Sequence, residues 1–238
     1  MKEYLIVLLV LLYSHNESLA TWSIILIDSE TKEIGIAGAS CTHNCYGIGK
    51  IVPNAGALIV QAMSNNEARE KGIKLIFAEA TPGQIIQAMR DPIFDPERQQ
   101  YAVVTVKYIN EPKTYTGKLT NPINGTLTDH GVSVQGNTLA SETELQMIMD
   151  AVQKGKKDLL HIAEILMEAL EAGSMAGGDK RCGEQRATSA FITVARPNDR
   201  KPYLDLIIFG QSKGKSNAVD LLRLKYEKWK RKHSDDLN

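Results

Sequence analysis

A boundary near its start constrains this chain most. Residues 5–13 form an unbroken aliphatic run closed by a tyrosine, with Lys2 before it and Ser18 and Ala20 after it. A basic start, an apolar middle and a small-residue exit have the layout of a secretory signal peptide. The run is shorter than the roughly 20 apolar residues a bilayer span needs. Residues 1–20 are therefore read as a leader, and residues 21–238 as one folded domain. Cutting after Ala20 would make Thr21 the first residue of everything that folds. A free N-terminal threonine carries a hydroxyl and an amine on adjacent carbons, so the amine can serve as the base for its own hydroxyl. Threonine also suits the start of a strand with no chemistry attached. The catalytic reading needs support from elsewhere in the chain.

Composition narrows the class. The 238 residues are 43% apolar and 24% charged, which suits a soluble globular protein with a substantial core. Basic and acidic residues number 28 each; without the leader's one basic and two acidic residues the balance is 27 to 26. A net charge so near zero gives no footprint for nucleic acid. The expectation is an exported protein, periplasmic or extracellular, with no membrane contact after cleavage.

The chain then alternates between blocks of strands and pairs of helices. Residues 22–27 are rich in β-branched side chains, residues 28–32 are a polar turn, and residues 34–40 return as a small-residue strand. Residues 56–63 read as another strand. A helix follows to about residue 80 with Asn65 or Ser64 as its cap, and a second over 84–90 with Thr81 as cap and Pro82 at its first position. Strands are expected over 101–108, 113–117 and 131–135, with 122–126 as a loop. Amphipathic helices are expected over 142–153 and 159–172, the second closed by Gly173. Strands over 188–195 and 203–209 and a basic-faced helix over 217–232, its charges solvated, complete the pattern. Such blocks fit a layered sandwich better than alternating β-α-β units.

Three cysteines add a choice. In an extended segment Cys41, His43 and Cys45 point to one side, and Cys182 could complete a zinc site. The competing reading is a disulfide from Cys182 to Cys41 or Cys45, in keeping with an oxidising compartment. The loop Ala176-Gly177-Gly178-Asp179-Lys180-Arg181 is glycine-rich, but no Gly-Lys-Thr/Ser follows, so it is not a phosphate loop. His43, His130 and His161 lie in no motif with an acid and a nucleophile.

Several short motifs occur in order: Thr21-Trp22-Ser23-Ile24, Gly38-Ala39-Ser40, Val60-Gln61-Ala62, Gln135-Gly136-Asn137, and Ala176-Gly177-Gly178-Asp179 followed by Ser189-Ala190. Together they resemble domain-of-unknown-function family 1028, a branch of the N-terminal nucleophile (Ntn) hydrolase superfamily, over residues 21 to about 229. The resemblance implies an α+β fold: a four-layer αββα sandwich of two antiparallel sheets between helical layers. It places the N-terminal residue in a central cleft. Cys41 and Cys182 resemble an exported subgroup in which both loops carry cysteine. Some relatives are fused to peptidoglycan-binding modules, which hints at cell-wall substrates.

The implied activity is amide hydrolysis through an acyl-enzyme on Thr21, with no metal or cofactor. The α-amine, with an ordinary pKa of about 7.7 to 8.0, is a suitable base. Fixed oxyanion donors contribute about 3 kcal/mol each. Asn137 and the Gly136 backbone N–H are the candidates, although Asn137 could equally be a cap or turn residue. Ser40 could orient the amine, or simply bond the backbone. Asp179 and Arg181 could contact substrate or pair with each other, and Gln61 is a further cleft donor. The substrate class is a small-molecule, peptide or cell-wall amide, and a homo-oligomer is possible. The alternatives are an exported binding or scaffold domain without chemistry, and a zinc protein built on Cys41, His43, Cys45 and Cys182.

Overall fold

The computed structural model describes residues 21–233; the leader, the cut after Ala20 and the last five residues lie outside them. The polypeptide opens with a hairpin. β1 (Thr21–Ile27) and β2 (Ile34–Ser40) pair antiparallel from Ile27↔Ile34 to Trp22↔Ala39. Asp28 closes the turn between them, its Oδ1 accepting the backbone N–H groups of Glu30 and Thr31 at 2.7 and 2.9 Å. This is the local competition with the ladder that aspartate offers in turns.

β3 (Gly49–Val52), β4 (Gly56–Ala62), β5 (Gln99–Thr105) and β6 (Lys113–Thr116) form one antiparallel sheet in that order. A second sheet of six strands has the order β10-β9-β2-β1-β8-β7. Here β7 is Gly125–Asp129, β8 Val132–Asn137, β9 Ser189–Ala195 and β10 Leu204–Ile208. Helices α1 (Asn66–Phe77) and α2 (Pro82–Met89) bury Ile76, Ile85 and Met89 against the outer face of the four-stranded sheet. Helices α3 (Glu144–Lys157), α4 (Ile162–Met175) and α5 (Ala218–Lys232) cover the outer face of the six-stranded one. A third core, centred on Ile25, Ile27, Ile36, Ile59 and Phe191, lies between the sheets. The molecule is thus a mixed α+β protein, a pair of antiparallel sheets with helices on both outer faces.

The expected caps are present. Asn65 accepts from the Ala68 N–H, Thr81 and Gln84 form a reciprocal capping box, and Asn217 accepts from the Val219 N–H. Three expectations need correction. Residues 122–126 end in a strand rather than a loop, because Gly125–Asp129 completes the sheet edge beside β8. Gly173 does not close its helix; the turn continues to Met175. A Cβ at Gly173 would lie 2.6 Å from the Trp22 indole nitrogen, so this glycine lets the tryptophan pack against the helix. Finally, the basic face of α5 is not simply solvated. Arg223 contacts Glu164 and Glu171 of α4, both at 2.6 Å, and Lys230 also reaches Glu164. These pairs tie the last helix to its neighbour.

Candidate functional site

The space between the sheets divides into two ends of opposite character. Alternation along each strand sends every second side chain inward. On β1 the inward series runs Thr21, Ser23, Ile25, Ile27; on β4 it runs Ala57, Ile59, Gln61; on β5 it runs Gln100, Ala102, Val104. The isoleucine end is the inter-sheet core. The other end collects Thr21, Ser23, Gln61, Gln100, Gln135 and Asn137, all buried.

These polar groups join across the sheets. Ser23 Oγ donates to Gln61 Oε1 at 2.5 Å, and Gln61 Nε2 donates to Gln100 Oε1 at 2.7 Å and to the Thr21 carbonyl at 3.3 Å. Gln135 Nε2 donates to Ser23 Oγ at 2.7 Å, and Gln100 Nε2 reaches the Gly136 carbonyl at 3.1 Å. A satisfied buried network of this kind fixes a single geometry. What it holds still is the backbone of Thr21.

Asn137 stands directly opposite Thr21 in the β1–β8 register. Side chains so paired share a face, with Cβ atoms about 5 Å apart. Asn137 is fully buried, yet neither its Nδ2 nor its Oδ1 has a hydrogen-bond partner among the described residues. Leaving one such group unpaired costs about 1–3 kcal/mol. Asn137 is the last residue of β8 rather than a helix cap or turn residue. It ends a strand with its amide idle beside Thr21. The residues that follow Gln61 and Asn137, Ala62 and Thr138, have φ of 64° and 53°. A left-handed β-branched residue such as Thr138 is strained, and such strain gathers at functional sites.

Ser40 flanks Thr21 on the other side, one step beyond the Trp22↔Ala39 pair, and its Oγ accepts from Thr42 Oγ1 at 3.1 Å. The loop carrying Asp179 closes the corner, tied by the Leu139↔Asp179 bridge and by the Lys180 N–H to the Thr138 carbonyl. Asp179, fully buried, accepts from the Cys41 N–H at 2.6 Å, from the Arg181 N–H at 3.0 Å, and from the Arg181 guanidinium at 3.1 and 2.7 Å. The Asp179–Arg181 pair is therefore a salt bridge within the loop that also fastens the end of β2.

One expectation changes at this corner. Gly136 turns its Cα face away from Thr21: a Cβ there would meet the Leu139 side chain at 2.7 Å, on the helical side, so the missing side chain makes room for Leu139. Gln61 is not a free donor, since its amide already bonds Thr21 and Gln100. Its place is that of a positioning residue.

The cysteines resolve into one bond. Cys41 and Cys182 form a disulfide with Cα atoms 5.6 Å apart. The four-ligand zinc arrangement is thereby overturned, because two of its sulfurs are joined to each other. Residues 41–45 also bend rather than extend, so Cys41, His43 and Cys45 do not share a face. Cys45 is a buried thiol, pushed up to about 12 by burial. Among the described residues, no group of three or more His, Cys, Asp or Glu side chains could hold a metal ion, and no helix is long and apolar enough to cross a membrane.

Sequence reasoning missed Glu144. It sits in the first turn of α3, fully buried, with both carboxyl oxygens lacking a partner of good geometry among the described residues. Burial pushes this carboxyl up to about 9; the nearby Ala140 backbone N–H opposes that, the Asp179 carboxylate reinforces it, and the Gly178 N–H opposes it weakly. The folded protein therefore holds Glu144 protonated at pH 7, while the unfolded chain ionises it near its ordinary 4.5. Stability from this group is complete below pH 4.5 and is lost as pH rises toward 9. Glu144→Gln keeps the neutral shape, so it should raise the unfolding free energy by up to about 5 kcal/mol at pH 8. Melting curves at mildly acidic and alkaline pH will show a smaller decline for the variant; parallel declines would remove Glu144 as the cause.

The comparisons with known proteins agree with this architecture. A crystal structure of protein SPO2555 from Silicibacter pomeroyi, assigned to DUF1028, superposes with a TM-score of 0.75 at 24% identity, covering 89% of each chain. A Gly-1 mutant of Anbu from Hyphomicrobium sp. strain MC1 aligns over 92% of this chain and 98% of its own, but with a TM-score of 0.40 and 8% identity, too distant to carry an argument. No curated protein matches the sequence significantly. The model of a family of unknown function, DUF1028, matches residues 21–213, and the chain belongs to that family.

Proposed function

We propose that this chain is an exported amide hydrolase of the N-terminal nucleophile type, with Thr21 exposed by leader removal. One observation carries the reading: a buried asparagine amide with no partner among the described residues faces the first residue of a strand whose backbone a polar network immobilises. The disulfide is in keeping with export, and the stretch that matches the family opens on Thr21.

In the proposed reaction Thr21 Oγ attacks the carbonyl carbon of the amide, and its proton passes to the Thr21 α-amine. The negative charge that develops on the carbonyl oxygen is met by Asn137 Nδ2–H, a donor with no other partner to give up. The carbon–nitrogen bond breaks, the departing amine takes the proton from the α-ammonium, and an ester remains on Thr21. Water, deprotonated by the same amine, cleaves the ester and releases the acid. Ser40 and Gln61 hold the ends of the strands around the nucleophile, and the Asp179–Arg181 pair secures the loop beside it. Neither metal nor cofactor takes part.

Labelling of the protein beginning at Thr21 with a β-lactone tests this. The expected result is a single covalent adduct on Thr21, absent from Thr21→Ala and from a form that retains Ala20, with unchanged circular dichroism. Equal labelling of Thr21→Ala would remove Thr21 from the role. No labelling of the Thr21 form would leave the second reading, a non-catalytic exported binding domain, which is favoured by the fact that Gln61 and Gln100 already bond each other and close the polar end.

A further inference from the structure

The two sheets are unequal in width, and a cavity that shares no residue with the Thr21 corner lies at the β9 side of the pair. The strongest contacts of the smaller sheet are with β2, β1, β8 and β7, so β9 and β10 lie toward one edge of the sheet pair. A cavity of about 510 Å³ opens there, between β9, the β3 edge and α1. This is within the range of roughly 300–1,000 Å³ found for small-molecule sites.

Its walls combine two kinds of surface. Ile73 and Phe77 supply its apolar surface, Phe77 being 70% exposed, over a buried layer of Ile36, Ile51 and Phe191. The Tyr46 ring stands edge-on to Phe191 with centroids 5.8 Å apart. It is fixed by a 3.0 Å hydrogen bond from its hydroxyl to Asp205, whose other oxygen accepts from Thr193 Oγ1 at 2.9 Å. Asp205 is thus engaged in building the wall. The charged residues that do line the cavity are Lys50, Arg69 and Arg200, with no acid among them. Arg69 bonds Ser64 and Asn66. Lys50 and Arg200 have no ion pair or side-chain hydrogen bond among the described residues, although the chain as a whole is electrically balanced.

We infer that this cavity binds an amphipathic anion: a carboxylate on an alkyl or aromatic body, the body seated on Ile73 and Phe77 and the carboxylate between Lys50 and Arg200. An apolar lining removes the body from water, while two unpaired cations at the rim select a charged head over a neutral one. The site shares no residue with the Thr21 corner, so it stands or falls independently of the hydrolase reading.

Isothermal titration of the Thr21-start protein with octanoate and with octan-1-ol tests it. One saturable octanoate site is expected, with octan-1-ol at least about tenfold weaker. The double variant Lys50→Gln/Arg200→Gln should reduce octanoate affinity at least about tenfold and leave octan-1-ol unchanged. Phe77→Ser should weaken both ligands, and Asn137→Ala neither. Absence of saturable octanoate binding at about 1 mM, equal binding of alcohol and acid, or an unaffected double variant would each overturn the assignment.

Discussion

Removing the disulfide, as Cys41→Ala/Cys182→Ala, should lower the unfolding free energy by about 2–5 kcal/mol. The bond joins residues 141 apart in sequence. In the chain-entropy account a loop of that length restricts the unfolded ensemble by about 5 kcal/mol, which sets the upper end. For a chain of this size the melting temperature should fall by about 5–15 °C. Both cysteines are replaced so that neither is left to exchange with Cys45. The loss should be felt locally as well, because Cys41 donates its N–H to Asp179 and Cys182 lies in the turn that follows Asp179. Hydrogen exchange of residues 176–188 should therefore quicken more than that of α1 or α2. Urea unfolding curves check the global figure; an unchanged midpoint would show that the loop is held by Asp179 and the Leu139 bridge alone.

Asn137→Ala should slow acylation of Thr21 by about 10²- to 10³-fold while leaving the fold as stable as before, or more so. The two halves of this expectation have one cause. The amide is buried without a partner among the described residues, so deleting it removes an unfavourable group from the resting protein. Only when negative charge develops on a bound carbonyl does its N–H acquire an acceptor. A residue kept for structure would show the reverse, a loss of stability with little effect on rate. The opposition of stability and activity is characteristic of functional positions. Second-order rates of β-lactone labelling and melting curves, measured on the same preparations, distinguish the two. Asn137→Asp should be no better than alanine, because it sets a negative charge against the developing oxyanion.

Much of the scaffold is legible in local chemistry. The hairpin of β1 and β2 follows from β-branched residues on either side of Asp28, and the helix starts follow from Asn65, Thr81-Pro82 and Asn217. Besides three short 3-10 turns, local reading misses the two weakest strands. β3 is four residues long and includes a glycine and an exposed lysine, and β7 is a half-exposed polar edge. Each exists because a neighbouring strand offers it a ladder, which no property of its own residues announces.

The candidate corner divides along the same line. The sequence alone marks Thr21 through the small-residue exit before it, and singles out Asn137, Ser40 and Asp179 through the motifs they share with a family. It cannot say that Asn137 would lie opposite Thr21 with its amide idle, that Gln61, Gln100 and Gln135 would join into one network, or that the bare Cα of Gly136 would make room for Leu139. Those facts depend on register, since a slip of one residue sends every side chain to the other face. Glu144 belongs with them: in an amphipathic helix it reads as a surface acid, and only the packing of the 176–186 loop over the start of α3 buries it. Propensity and capping act over a few residues and so can be read from the chain directly. Burial, pairing and an unsatisfied amide are properties of surfaces that meet from distant positions, and the tertiary structure alone decides them.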